Sequence, residues 1–472
     1  MVLQRLLIRY LLDPLARITS RIPQKQKDIG FVAFLLCIVF LYMGRGAGFL
    51  NFRYIFFFAL GCLSLGGMVL CTLPEHCKPI PFRKSLYLLW FGIGGLMLLS
   101  GVLFNMDSLP EAVLFLAVYP IIFLVWNQSH SARIFKLLFQ GVEISFWLYT
   151  LVCLLFYPVN TVRYSGLFTN VNGTAGYLAI VATCLLVDCL LFEKITLTRI
   201  RKLIAFGVCI ALLLYTGSRT GLLEITVVGA VAAVVGLIRL WKLRKLSFFR
   251  NILLMAVSAV LFFNTTMSIL QLGYSVKNGV VSFVQSVLTE SPDNTVPDSS
   301  DPSTPSQPSV RPDDSADLIA DRLDTEGKDL NYISTGRFQI WAGYVKQLNL
   351  FGHRDSGTVT IYHGGEEKIY HTTHMTILQI AYENGAIAGI LYFAFNLTAG
   401  IYSLLHALRR KDDPYAMVPL LVSAAYGVYS LLANTGISFW YLSTLMYYLV
   451  QFPIMAKQQS STDSEEKQVD AQ

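Results

Sequence analysis

Residues 335–353 read T-G-R-F-Q-I-W-A-G-Y-V-K-Q-L-N-L-F-G-H, and residues 371–391 read H-T-T-H-M-T-I-L-Q-I-A-Y-E-N-G-A-I-A-G-I-L. Between them lies a variable segment, and together they mark the seam between a long polar loop and an apolar helix. Phe338, Trp341, Val345 and Leu348 recur at helical spacing, so Arg337 is expected to open an amphipathic helix lying on a membrane surface. His374 stands where the polar loop gives way to Ile377, Leu378, Ile380 and Ala381, at the lip of a membrane helix. A cation and a titratable imidazole fixed at one membrane face suit chemistry on a lipid-borne substrate.

The rest of the chain makes that membrane unavoidable. Of its 472 residues 54% are hydrophobic and 14% charged, against about 25% charged in soluble domains. Many apolar runs approach the ~20 residues that cross a bilayer, and helices alone satisfy their own backbone polar groups there. The net charge of +7 does not imply nucleic acid, because the basic residues fall at helix ends. The eight cysteines lie in or beside apolar segments, which argues against a disulfide framework or a thiolate metal site. No cleavable signal peptide is evident, since Arg5 and Arg9 break the first apolar run.

Residues 1–28 interleave six basic residues with leucines and isoleucines, as a cytoplasmic interfacial segment does. Nine transmembrane helices are expected over 29–273, a large extracytoplasmic loop over 274–374, three more helices over 375–456 and a cytoplasmic tail over 457–472. The expected fold is therefore an all-α polytopic membrane protein of about twelve spans. With the N-terminus inside, 25 of the 37 Lys and Arg residues fall on the cytoplasmic side and only four in or beside short outside loops. The other eight sit in the long loop, where the rule hardly applies. Residues 291–315, crowded with Pro, Ser, Asp and Thr, read as a disordered spacer.

Three arginines on the outer side have a distinctive context. Arg163 lies in R-Y-S-G-L-F-T-N-V-N-G, Arg219 in G-S-R-T-G, and Arg337 opens the loop helix. Lone arginines at helix ends, such as Arg45 and Arg53, read as snorkelling anchors. Arg219 is different, because positive charge is disfavoured outside and Ser218, Thr220 and Gly221 form a tight hydrogen-bonding turn. Guanidinium forks bind phosphates bidentately, so convergence of two or three would clamp a pyrophosphate. His374 suits proton transfer, since an imidazole titrates near neutral pH. The alternative is a histidine that merely caps a helix. His371 and His374 are three apart, but no outside cysteine or carboxylate at ligand spacing completes a metal site. Gly385 and Gly389 suggest close helix packing. Glu143, Asp188 and Glu224 are expensive inside apolar spans, and the sequence assigns them no role.

At these places the chain resembles the O-antigen ligase and O-antigen/capsule polymerase superfamily. S-R-T-G-L-L (218–223) is similar to that family's short outer turn. R-x-x-x-W (337–341) with L-N-L-F-G is similar to the start of its loop signature, and H-x-x-x-L (374–378) with E-N-G-A-I-A-G to its end. Y-S-G-L-F-T-N-V-N (164–172) resembles its outer loop ahead of a central helix. The resemblance implies a GT-C-like, inverting, metal-independent glycosyltransferase of the cell membrane that needs no cofactor. It implies transfer of a glycan from an undecaprenyl-diphosphate-linked oligosaccharide donor to a glycan or lipid-linked acceptor at the extracytoplasmic face. Arg163, Arg219 and Arg337 would hold the diphosphate, and His374 would be the base. Met375 departs from the pattern, which commonly has Asn directly after the histidine, so an acceptor-orienting amide at that position is in doubt. Polymerase is preferred to ligase on a lipid or protein acceptor. The rivals are a transporter or flippase of lipid-linked glycans and a non-enzymatic membrane scaffold.

Overall fold

The computed structural model describes residues 2–49, 54–157, 163–191, 196–289, 334, 336–355, 357–363, 366–411 and 413–457. The spacer expected over 291–315 and the tail after Lys457 lie outside the described residues. Among those described, ten helices are long and apolar enough to cross a membrane, two fewer than the twelve expected spans.

The two absences have physical causes. The expected span at 202–217 is present as the helix Leu197–Tyr215, but its first two turns carry Arg199, Arg201 and Lys202, and these charges shorten its apolar length. The last expected span, 437–456, is divided into Leu442–Val450 and Phe452–Met455, with Gln451 and Pro453 at the break. The remaining helices used below are α1 (Gln24–Gly46), α2 (Tyr54–Thr72), α3 (Lys84–Leu103), α4 (Ser131–Phe156), α5 (Val171–Leu191) and α6 (Leu197–Tyr215). They continue as α7 (Arg219–Thr289), α8 (Arg337–Val345), α9 (Thr376–Asn384), α10 (Ala386–Arg409), α11 (Val418–Leu432) and α12 (Leu442–Val450). A further span, Met106–Trp126, joins several short helical pieces.

Helix α5 is the axis of the bundle. Every residue from Thr174 to Leu190 is buried, as expected of a helix that is apolar all round. Small residues let its neighbours approach. A Cβ on Gly176 would meet the Tyr429 ring of α11 at 2.3 Å, and one on Gly221 of α7 would lie 3.0 Å from Ala175. Helix α7 holds two spans, 219–239 and 247–279, in one helical run that continues past residue 274, where the outer loop was expected to begin.

One end of the bundle collects ion pairs. Arg201 Nε donates to Glu143 at 2.8 Å, and Lys202 pairs with Asp188. Arg133 reaches Asp28 at 3.0 Å, and Arg239 donates to the carbonyls of Arg410 and Asp413. Two of the costly intramembrane carboxylates thus face the basic ends of α6, and this explains their tolerance in apolar helices. The N-terminal stretch is helical and packs one side against the bundle. Ile8, Leu12, Ala16 and Thr19 form its buried stripe, while Arg5, Arg9 and Arg17 stay exposed.

The opposite end carries the loop, which is not purely helical. Val359–His363 and Glu366–Tyr370 pair as an antiparallel ribbon, with Val359 opposite Tyr370 and Ile361 opposite Lys368. Alternation buries Val359 and Ile361 against Ile340, Tyr344, Leu378 and Tyr382. This small core corrects the expected face of α8. Ile340 and Tyr344 are its buried residues, whereas Phe338 and Val345 are each at least half exposed.

Candidate functional site

The R-x-x-x-W pattern acquires a mechanical meaning in this loop. Arg337 and Trp341 lie one helical turn apart on α8, and Trp341 Nε1 donates to the Thr373 carbonyl at 3.0 Å. That bond ties the helix bearing Arg337 to the residue before His374. Thr373 is fully buried. Its N–H donates to Gln379 Oε1 at 2.9 Å, its hydroxyl donates to the Met375 carbonyl, and the Met375 N–H donates back to that hydroxyl. His374 is held between these anchors with φ of +51°, the one non-glycine residue with positive φ among those described. A left-handed backbone at a histidine is uncommon, and it persists where surrounding contacts over-determine it.

The second half of the motif supports the junction of α9 and α10. Gly385 breaks α9 from α10 with φ of +96°, and a Cβ there would meet the Leu350 carbonyl at 2.2 Å. Gly352 is its counterpart, with φ of +92° and the Glu383 carbonyl 2.1 Å from any added Cβ. The Ala386 N–H donates to the Asn349 carbonyl, and the His353 ring stacks on Tyr382 with centroids 3.9 Å apart. L-N-L-F-G-H and E-N-G are therefore two sides of one close backbone contact. Gly389 fits its expected role, since a Cβ there would lie 2.4 Å from the Ala381 side chain.

His374 and Arg337 line one cavity of about 330 Å³, with walls from the loop-side ends of α1, α5 and α11. Asn172, Tyr429, Asn434 and Arg45 are part of its polar lining. Burial and the neighbouring Arg337 charge hold the His374 imidazole below its ordinary proton affinity. The Arg337 guanidinium is also held below its usual range, first by burial and then by Arg219. The site therefore presents a neutral imidazole beside concentrated positive charge, which suits a proton acceptor near an anion.

The other two expected arginines stand behind this cavity and do not line it. Arg163 Nε donates to the Thr216 carbonyl at 3.1 Å, at the turn that ends in Gly217 with φ of +57°. Ser218, the next residue, donates to Asn172 Oδ1 at 3.1 Å, and Tyr429 donates to the Asn172 carbonyl at 2.9 Å. The S-R-T-G turn is thus attached to Asn172 in the cavity wall, with Arg219 close enough to act on Arg337.

Arg45 reverses an expectation. It lines the cavity, stacked over Trp440 with its guanidinium carbon 5.1 Å from the ring centroid, although the sequence offers only a lone arginine at a helix end. Asn434, from N-T-G (434–436), brings an amide to the same cavity as His374, the group that Met375 cannot supply. Its Oδ1 accepts the Gly436 N–H at 3.1 Å. Neither residue carried a sequence signal beyond its type.

Two further cavities adjoin this one. One, about 350 Å³, shares Phe168 and Thr169 with it, and the other, about 160 Å³, shares Arg45, Asn434, Trp440 and Tyr441. A larger apolar cavity of about 750 Å³ lies at the opposite end, between the N-terminal helix and α3. Its lining is mostly Leu, Ile and Phe, with Lys84 and Tyr87 at its wall, and suits lipid chains. Among the described residues no group of three His, Cys, Asp or Glu side chains stands ready to hold a metal ion.

The fold and its loop define a mostly helical, multi-pass membrane protein with a polar, cationic cavity at one end of the bundle. No protein-family model matches the chain, and no curated protein matches it.

Proposed function

We propose that the chain is a membrane glycosyltransferase that extends or attaches a cell-surface polysaccharide, using an undecaprenyl-diphosphate-linked oligosaccharide as donor. The observation that carries this reading is the shared cavity of His374 and Arg337, with Arg219 and Arg163 behind it and His374 fixed in a left-handed conformation. A sugar on a lipid diphosphate already has a good leaving group, so the reaction needs charge stabilisation more than protonation of that group. Arg337 faces the departing diphosphate, and Arg219 and Arg163 add to the positive field, in surroundings that strengthen each charge. His374, neutral through burial, takes the proton of the acceptor hydroxyl. The hydroxyl oxygen bonds to the anomeric carbon as the carbon–diphosphate bond breaks, with inversion. The preferred acceptor is a second lipid-linked repeat, which makes the enzyme a polymerase; a lipid core or a protein would make it a ligase. The active site faces away from the cytoplasm in this reading, as the distribution of Lys and Arg requires.

The test is the lipid pool of cells that lack the protein. The reading expects short lipid-diphosphate-linked oligosaccharides to accumulate on the outer face while long polymer disappears. Accumulation confined to the inner face would instead identify a flippase.

A further inference from the structure

The smaller chamber beside the His374 cavity has its own chemistry. Glu111, from the start of the Met106–Trp126 span, and Glu383, from α9, both line it, with Gln379, Ser438 and the shared Arg45 and Trp440. Its volume of about 160 Å³ is that of roughly five waters at ~30 Å³ each, enough for one sugar ring and too small for a glycan chain. The Arg337 cavity gathers the cationic side chains, whereas this chamber adds two carboxyl groups to the one shared arginine, so the diphosphate belongs in the former. Carboxylates, amides and an indole face together recognise hydroxyl groups and the apolar face of a pyranose.

The chamber is also wired to the base. Gln379 Nε2 donates to Glu383 Oε1 at 2.7 Å, while Gln379 Oε1 accepts the N–H of Thr373, the residue before His374. A ligand that engages Glu383 therefore meets a side chain already fixed relative to the imidazole. Arg45, stacked on Trp440, stands in the wall common to both cavities, where a bond between donor and acceptor sugars would form.

We infer that this Glu111–Glu383 chamber is the acceptor subsite, which receives the terminal neutral or amino-bearing sugar of the accepting glycan and presents its hydroxyl to His374. The inference rests on the glycosyltransferase reading. Glu111→Gln, Glu383→Gln and the double variant can be assayed on full-length protein in vesicles. The donor is the lipid-linked glycan isolated from cells lacking the protein, and the acceptor probe is the free oligosaccharide released from it by mild acid. Loss of one carboxyl hydrogen bond to the acceptor should raise its KM several-fold, up to about 10-fold, for each single variant, with donor affinity within about twofold of wild type. Unchanged donor binding also shows that the variants are folded. On the wild-type protein, the oligosaccharide should protect Glu111 and Glu383 from carbodiimide modification, as read by mass spectrometry. An unchanged acceptor KM, weakened donor binding at normal acceptor KM, or no protection by the oligosaccharide would each overturn the subsite. Failure of the wild-type protein to bind or turn over the donor would overturn the underlying reading instead.

Discussion

At the scale of single residues, His374 and Arg337 were legible and Arg45 was not. R-x-x-x-W and H-x-x-x-L set a cation and an imidazole at ordered distances along the chain, and the Trp341–Thr373 bond converts that order into proximity. Arg45 and Asn434 have no such local pattern, because their proximity to His374 comes only from the packing of α1 and α11 ends. His374→Ala should insert normally, still bind donor and lose roughly 10²–10⁴-fold in rate, whereas the exposed His371 should be replaceable with mild effect. Turnover by purified variants checks both. The sign of the pH dependence follows from the two causes acting on His374. Burial and Arg337 lower its proton affinity, and the base acts in its neutral form. The rate should therefore hold as pH falls through the ordinary imidazole value of about 6.5 and decline only below it. A kcat/KM profile, which reports the free enzyme, provides the check. Decline beginning well above that value would remove His374 as the base. Arg219→Ala should cost on the order of 1–3 kcal/mol in the transition state, since it removes a positive charge that acts on the cavity from behind Arg337. Wild-type turnover by that variant on a lipid-diphosphate donor would count against the arginine cluster.

At the scale of elements, hydrophobic length identified most helices and missed their interruptions. The run 376–407 reads as one span, but Gly385 divides it, because the glycine's left-handed φ brings its backbone against Leu350. A sequence pattern registers G-A-I-A-G as helix packing and cannot reveal the opposing loop. Gly385→Ala should cost roughly 2 kcal/mol or more through backbone strain and shift the segment that carries His374. Thermal melting of detergent-solubilised protein measures the first effect and turnover the second. A fully stable, fully active Gly385→Ala protein would show that the close contact is dispensable. The ion pairs at the other end were equally hidden, since Asp188 and Lys202 come from different helices. Asp188→Leu should destabilise by up to roughly 3–5 kcal/mol by removing the carboxylate that faces Lys202 in a mostly buried place. Adding Lys202→Leu should restore most of that loss in the same melting assay. The β-ribbon escaped notice because its five-residue strands lie inside a polar loop, where alternation over so short a length is weak.

At the scale of the whole molecule, composition and charge asymmetry give the architecture with little help from motifs. The same asymmetry agrees with the sorting of contacts in the structure. The ion pairs of Arg133, Arg201 and Lys202 and the carbonyl contacts of Arg239 gather at one end of the bundle, and Arg45, Arg337 and His374 at the other. Single-cysteine labelling in intact cells tests the sidedness, once the native cysteines are removed. An impermeant reagent should modify a cysteine placed at Ser306 and spare one placed at Ser247. The reverse pattern would put the His374 cavity on the wrong side for the proposed chemistry. The central claim, that this cavity transfers a glycan from a lipid diphosphate, is tested most directly by reconstitution. Purified wild-type and His374→Ala proteins in vesicles would each receive the lipid-linked glycan that accumulates in cells lacking the protein. The account predicts longer glycan and free lipid diphosphate from the wild type, with donor binding but essentially no turnover from His374→Ala. Equal turnover by both proteins, or none from a wild type that binds the donor, would contradict it.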